Sequence, residues 1–505
     1  MDIALRLLGE GGDLDARGVS VTEELLQRFL AAAPHDEHGD AVLTDADFSR
    51  ATFLSTATFA GCVFRGDALF DGATFKDDAQ FGQATFKQTA WFAEATFLDA
   101  WFSSATFSGD AVFSGATFKD DSGFASAIFE HIAWFNFATF KHVARFDDAT
   151  FKDATRFEKS RFRGTVDFRR ATFKQTRTVG PLLACRGLVL DGVLFKQPVR
   201  IEASTPGLCC HQAQFDGGVQ FWLRWARVVL DDTYLANPST LAGIPRLTDD
   251  GLAIEEQQLA RAWRRLLTRE ISERPRLLSL QRADVAGLGL SKVELADCRF
   301  AGAHNLDKLR MEADVSLVAA PTRPGRDRRQ VIAEERTWRA QHSSRWTAPL
   351  WPDWTGAAPE VLEPGQIAGL YRALQKGRED NHDEPGAADF YYGEMEMRRH
   401  ARSSPASGNA SSFAGGASRG RAERSILTVY WLVSGYGLRA WRALACLAAV
   451  IAGFAIAFHL IGFTTPPRPA SYWTSLLYAF RATLSLTDNE VKLTAWAGCS
   501  RLCCG

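Results

Sequence analysis

The chain has 505 residues, enough for several domains, with 58 Lys and Arg against 59 Asp and Glu. A net charge of −1 excludes a global field for a nucleic-acid partner. The nine Cys residues lack any CxxC spacing, and positions 1–10 are too short and polar for a secretory signal, so the soluble part is expected in the reducing cytoplasm.

Residues 1–40 read as an N-terminal helical cap. Positions 21–33 (VTEELLQRFLAAA) place apolar residues at helical spacing behind Thr22 as N-cap. A strand array following them would need its first edge covered.

That array is a ladder of phenylalanines. They are Phe48, Phe53, Phe59, Phe64, Phe70, Phe75, Phe81, Phe86, Phe92, Phe97, Phe102, Phe107, Phe113, Phe118, Phe124, Phe129, Phe135, Phe140, Phe146, Phe151, Phe157, Phe162, Phe168 and Phe173. The spacing alternates five and six, except for five, five, five from Phe92 to Phe107. Two residues before each Phe stands Ala in 19 of 24 cases, otherwise Cys62, Ser122, Thr155, Ser160 or Val166. An 11-residue period would suit a right-handed helical supercoil. However, Thr, Phe and Gly are poor helix formers, and residues two apart share a face only on a strand. The reading is a solenoid of very short strands, with Phe and the small residue pointing inward and the intervening Thr, Gln, Trp, Val or Arg pointing out.

In this pattern the chain resembles the pentapeptide-repeat family. The resemblance implies an all-β solenoid, a right-handed quadrilateral β-helix. The extra residue in alternate repeats departs from the family pattern and implies coils of about 22 residues, with looser corners.

The pattern weakens but persists over 178–234, giving a β-helix over 41–235. A helical insertion follows at 236–278, its helix at 254–271 clustering Leu259, Trp263, Leu266 and Leu267. A second pentapeptide segment at 279–320 puts Val285, Leu290, Leu295 and Phe300 in the large slot and Ala283, Leu288, Val293 and Cys298 in the small one. It is expected to close the same rod. Cys62 and Cys298 thereby read as core residues.

Residues 321–402 form a helical juxtamembrane region: a basic helix at 326–341, a Trp-containing loop with Trp346, Trp351 and Trp354, and a helix pair at 365–378 and 387–402. The block 389–396 (DFYYGEME) resembles one preceding the membrane segment of membrane-anchored bacterial pentapeptide-repeat proteins. Glu394 and Glu396 point to different helix faces, and surface pairing with Arg398 and Arg399 is a simpler reading than catalysis. Residues 403–425 read as a disordered linker.

The membrane region is 426–486. Positions 443–463 (ALACLAAVIAGFAIAFHLIGF) carry no formal charge and are long enough to span. Arg residues are concentrated before this span, which puts the repeats on the cytoplasmic side. Positions 472–486 are too short to span and read as interfacial or re-entrant. They resemble the pore helix of two-span cation channels by position, but 487–490 (TDNE) lacks the filter Gly-Tyr-Gly. The tail, 487–505, reads as an abnormal or truncated terminus.

The sequence thus names no catalytic residue, cofactor or metal ligand. Cys209-Cys210-His211 has ligand chemistry, yet packing explains it more simply. The expected function is a membrane-tethered cytoplasmic scaffold for protein–protein interaction, not an enzyme. Its partners would be the membrane, through a single C-terminal span, and an unidentified protein, with a homo-oligomer allowed and no nucleic acid. A channel-like or sensing membrane protein is the alternative. Topoisomerase inhibition by DNA mimicry, known from some pentapeptide-repeat proteins, demands a strongly negative rod, and the ladder's net charge over 41–175 is only −2.

Overall fold

A small–any–Phe triplet puts two side chains on one face of an extended chain, and a corner after each triplet keeps the strands short. The computed structural model of the chain describes residues 11–266, 272–312, 314–321, 329–349, 351, 361–401, 416–461 and 472–483. It separates into two compact units, Met1–Tyr391 and Tyr392–Gly505.

In the first unit, parallel strands stack into four sheets of 7, 10, 10 and 13 strands. This is a four-sided β-solenoid. Strands pair coil on coil in the same register: Ala46 with Ala68, Ala68 with Ala90, Ala111 with Ala133. The usual coil takes 22 residues, the separation across which the Asp67 N–H donates to Asp45. It shortens to 21 where the sequence runs five, five, five, so that Ala79 pairs with Ala100.

The alternating beat reflects two kinds of corner. On two sides of the rod, two residues link Phe to the next small residue, the second in the left-handed region, as at Arg50 (φ 57°), Glu94 (57°) and Phe137 (62°). On the other two sides the corner usually holds three residues, as Arg65-Gly66-Asp67.

All 24 Phe side chains of the ladder are at most 2% exposed. The four sides sort them into four stacks running along the rod. One stack is Phe48, Phe70, Phe92, Phe113, Phe135 and Phe157. The next is Phe53, Phe75, Phe97, Phe118, Phe140 and Phe162. The third is Phe59, Phe81, Phe102, Phe124, Phe146 and Phe168. The fourth is Phe64, Phe86, Phe107, Phe129, Phe151 and Phe173. Within a stack the rings are near parallel, as Phe81 on Phe102 at 4.8 Å and Phe92 on Phe113 at 4.9 Å. Between stacks they meet edge to face, as Phe92 and Phe102 at 5.3 Å and 81°. Burying each ring contributes about 2 kcal/mol, most of it offset by ordering the chain.

The solenoid begins earlier than the ladder. Leu14–Asp15 pairs with Ala46–Asp47, and Ser20–Val21 with Thr52–Phe53. Region 1–40 therefore contributes strands as well as helix α1, Glu23–Ala32, which leaves the coil after them. Thr22 caps it, its hydroxyl accepting the Leu25 N–H at 3.3 Å.

Beyond Phe173 the coil tightens to 20 residues, the separation across which the His211 N–H donates to Asp191. Phe195 pairs with Phe215 there, and aliphatic side chains such as Leu188, Ile201, Leu208 and Val228 fill the core. Within 236–278, expected as a purely helical insertion, Ser239–Gly243 is a strand between Val219–Arg224 and Leu288–Ser291. Helix α2, Asp250–Leu266, packs on the outside. Leu252 and Ala260 meet Leu183, Trp225 and Leu247, with Leu259 partly buried beside them. Glu256 is buried against the rod and accepts from Ser204, Arg224 and Trp225 at 2.7, 2.8 and 2.9 Å. The side chains of Trp263 and Leu266, and residue 267, lie outside the described set.

Leu288–Ser291 and Arg310–Met311 extend the 13-strand sheet, so the second segment continues the same rod. Three helices follow: α3, Ala333–His342; α4, Pro364–Asp380; and α5, Glu384–His400. The basic helix expected over 326–341 starts only at Ala333, because Gln330–Val331 pairs as a strand with Val318–Ala319. Trp351 packs on a coil, its indole donating to Asp297 O at 2.7 Å with the Arg299 guanidinium 4.3 Å from the ring. Trp354 lies outside the described residues.

In the second unit, helix α6, Gly416–Ser434, begins inside the segment expected to be disordered, of which 403–415 lies outside the described residues. Helix α7 is Ala440–Ile461, and its stretch Ala440–Ala457 is long and apolar enough to cross a membrane. Helix α8, Tyr472–Thr483, packs on α7 through Ile451, Ala455 and Ala479. The tail at 487–505 lies outside the described residues.

Candidate functional site

Because the register is fixed, every outward side chain belongs to a vertical column on one side of the rod. The 13-strand side presents Thr52, Thr74, Thr96, Thr117 and Thr139 in line. The seven-strand side differs. Its column reads Asp15, Asp47, Leu69, Trp91, Val112, Trp134 and Arg156. Four consecutive coils thus expose apolar groups on one line, with Trp91 38% exposed. Beside Trp134 stands Phe137, 50% exposed and in the left-handed region at φ 62°, with the Lys159 ammonium 5.3 Å from its ring. Left-handed backbone is unusual for so bulky a side chain. Trp101, on the opposite side of the rod, lies over the next coil. A Cβ added to Gly123 in the next coil would lie 2.8 Å from its ring.

The column opens and closes with charge. Asp47 accepts the Ser49 N–H at 2.9 Å and faces Arg17 Nε at 3.5 Å. Arg156 Nη1 lies 3.4 Å from Glu158.

A family model described as pentapeptide repeats (9 copies) matches residues 39–82, 59–106, 102–150 and 138–178. Residues 39–178 thus consist of pentapeptide repeats. No curated protein and no solved structure matches the chain. The apolar column lies wholly within the pentapeptide-repeat array.

The Cys209-Cys210-His211 run is split by its fold. Cys210 points into the core and is fully buried, while Cys209 and His211 are half-buried on the outside next to Asp191 of the preceding coil. The donor atoms of Asp191, Cys209 and His211 lie within 4.8 Å of one another and could hold a metal ion, as could those of Asp120, Asp121 and His142. Asp191 already has a structural task, accepting the His211 N–H at 2.8 Å. Burial, with the charges of Asp191 and Asp231, pushes the Cys209 thiol up to about 12, so it is protonated near neutral pH. Cys62, in its inward slot, is pushed up to about 12 by burial, and Cys298 well above its ordinary value.

Glu394 and Glu396 pair with the arginines expected for them. Arg398 Nη1 lies 3.5 Å from Glu394, and Arg399 Nη2 lies 2.8 Å from Glu396. The pairs are not on the surface, however: both carboxylates are buried, and Glu396 also accepts from Tyr436 at 3.2 Å. Such a network braces helices and offers no nucleophile with a positioned base.

Two groups that pattern reading missed sit at the start of α3, Glu335 facing α4 and Glu334 facing the rod. Glu335 is fully buried and accepts from Arg329, from Arg339 Nε at 2.6 Å and from Tyr371 at 2.5 Å. The neighbouring Glu334 takes the Phe300 and Ala301 N–H groups on one oxygen, at 2.5 and 2.9 Å. Burial outweighs those bonds and pushes its carboxyl up to about 7. No sequence signal marks either residue, since both sit in a charged helix start that reads as solvated. The apolar column was readable in principle, by taking the intervening residue of every fourth repeat.

Proposed function

We propose that this protein is a membrane-tethered cytoplasmic scaffold that holds protein partners on the side of its pentapeptide-repeat array. The observation that carries this reading is the column Leu69, Trp91, Val112 and Trp134. Aromatic side chains held rigidly by a repeating backbone are the residues that dominate binding at interfaces. The interior of the rod is filled with side chains, which leaves binding to the outside. The tether is the apolar stretch of α7, preceded by Arg398, Arg399, Arg424 and Arg439 and carrying Arg442 in its first turn, a bias that keeps the preceding region on the cytoplasmic side. The DFYYGEME block ahead of it supports the same reading through its resemblance to membrane-anchored relatives.

The test is a photo-reactive amino acid placed at Val112 in the full chain, expressed in cells and irradiated, with Thr96 as the control on the polar side. The scaffold reading expects a discrete adduct from position 112 and none from position 96. Identical, diffuse labelling from both positions would remove it.

A further inference from the structure

The apolar column is self-complementary. From its second strand it runs Asp47, Leu69, Trp91, Val112, Trp134, Arg156, with Asp15 one coil before Asp47 and outside the paired set. Turned end for end, the same list sets Asp47 against Arg156, Leu69 against Trp134, and Trp91 against Val112. Each indole then meets an aliphatic side chain, and each end meets the opposite charge. A two-fold axis between the coils of Trp91 and Val112 generates all of these pairs at once, which is the geometry of an isologous dimer.

The charge of the whole array is graded along the rod. Residues 41–129 carry 11 acidic and 5 basic side chains, a net −6, and residues 130–175 carry 6 acidic and 10 basic, a net +4. About the proposed axis, however, the facing segments 41–101 and 102–160 carry 8 acidic with 4 basic and 8 acidic with 6 basic side chains, so the orientation rests on the opposite charges at the two ends of the paired column. Six strands at about 4.8 Å give a column of roughly 24 Å, too narrow for the area of a tight, permanent interface. The association is therefore weak and reversible.

We propose that the seven-strand side of the array is the contact by which two copies of this chain pair antiparallel, side by side. This rests on the reading of the rod as an interaction scaffold and names a second copy as its occupant.

The experiment uses the full chain in native membranes and in detergent, with the photo-reactive residue at Val112. The expected product has twice the mass of the chain, with the cross-link mapping to the peptide that contains Trp91. Asp47→Arg or Arg156→Asp alone should lower its yield about tenfold, since symmetry turns two exposed pairs repulsive together. The double variant Asp47→Arg with Arg156→Asp exchanges the two charges and should restore it. A merely misfolded single variant could not be rescued in this way. No doubled adduct, or no rescue, overturns the proposal. An adduct with a different protein overturns the second-copy assignment while the scaffold reading stands; no adduct of either kind removes both.

Discussion

Phe113→Ala tests the stacked interior. The ring is fully buried between Phe92 at 4.9 Å and Phe135 at 5.0 Å, both within 3° of parallel, and Phe102 and Phe124 meet it edge-on at 5.3 and 5.4 Å. Emptying an aromatic core site costs about 3–5 kcal/mol. The upper half of that range applies here because the cavity cannot collapse. The coil is held by Phe113 N–H on Trp134 O at 2.7 Å and Phe92 N–H on Val112 O at 2.7 Å, so neighbouring coils are kept at strand spacing. The expected loss is about 4–5 kcal/mol. Phe137→Ala is the matched control: the same atoms leave a half-exposed corner, and the cost should stay within about 0.5 kcal/mol. Urea titrations of the full chain in detergent, followed by the β-sheet signal in circular dichroism, compare the two. If Phe113→Ala and Phe137→Ala shift the midpoint equally, the stacked ladder does not stabilise the rod as argued.

Glu334 should make stability fall as pH rises. Its folded-state carboxyl titrates at about 7, above its ordinary 4.5, so the folded chain holds a proton that the unfolded chain releases. The stabilisation is complete below about 4.5, is lost as pH rises through about 7, and disappears in Glu334→Gln, as unfolding titrations at pH 5 and pH 8 would reveal. Gly164→Ala should destabilise by about 1–3 kcal/mol through overpacking, because its Cβ would sit 2.1 Å from His142 O; melting curves measure this. Cys210 and Cys298 are sealed in the core with thiols raised far above their ordinary value. A thiol reagent at pH 8 should therefore modify them only after unfolding, as peptide mass mapping would show.

The interior of the rod is legible in the sequence because its chemistry repeats: Phe and Ala recur at one spacing and admit one solution. Places where another element competes for the chain are less so. Ser20–Val21 and Ser239–Gly243 are strands without Phe, recruited by neighbouring coils rather than by their own pattern. Gln330–Val331 reads as helix because its charged surroundings are helical in period, yet pairing with Val318–Ala319 prevails. The column of Leu69, Trp91, Val112 and Trp134 is hidden because its members stand a whole coil apart, and only the coil length brings them into line. Glu334 and Glu335 are unreadable, since burial of a carboxylate depends on which helix covers it.

Tethering of the array to a membrane from its cytoplasmic side is measured most directly by fractionating cells. They would express the full chain, or a chain lacking Ala440–Ile461, with an alkaline carbonate wash and protease added to the outside of intact cells. The account predicts that the full chain stays in the washed membranes, that the shortened chain is released, and that the array survives external protease. Release of the full chain by carbonate, or digestion of the array from outside, would contradict it.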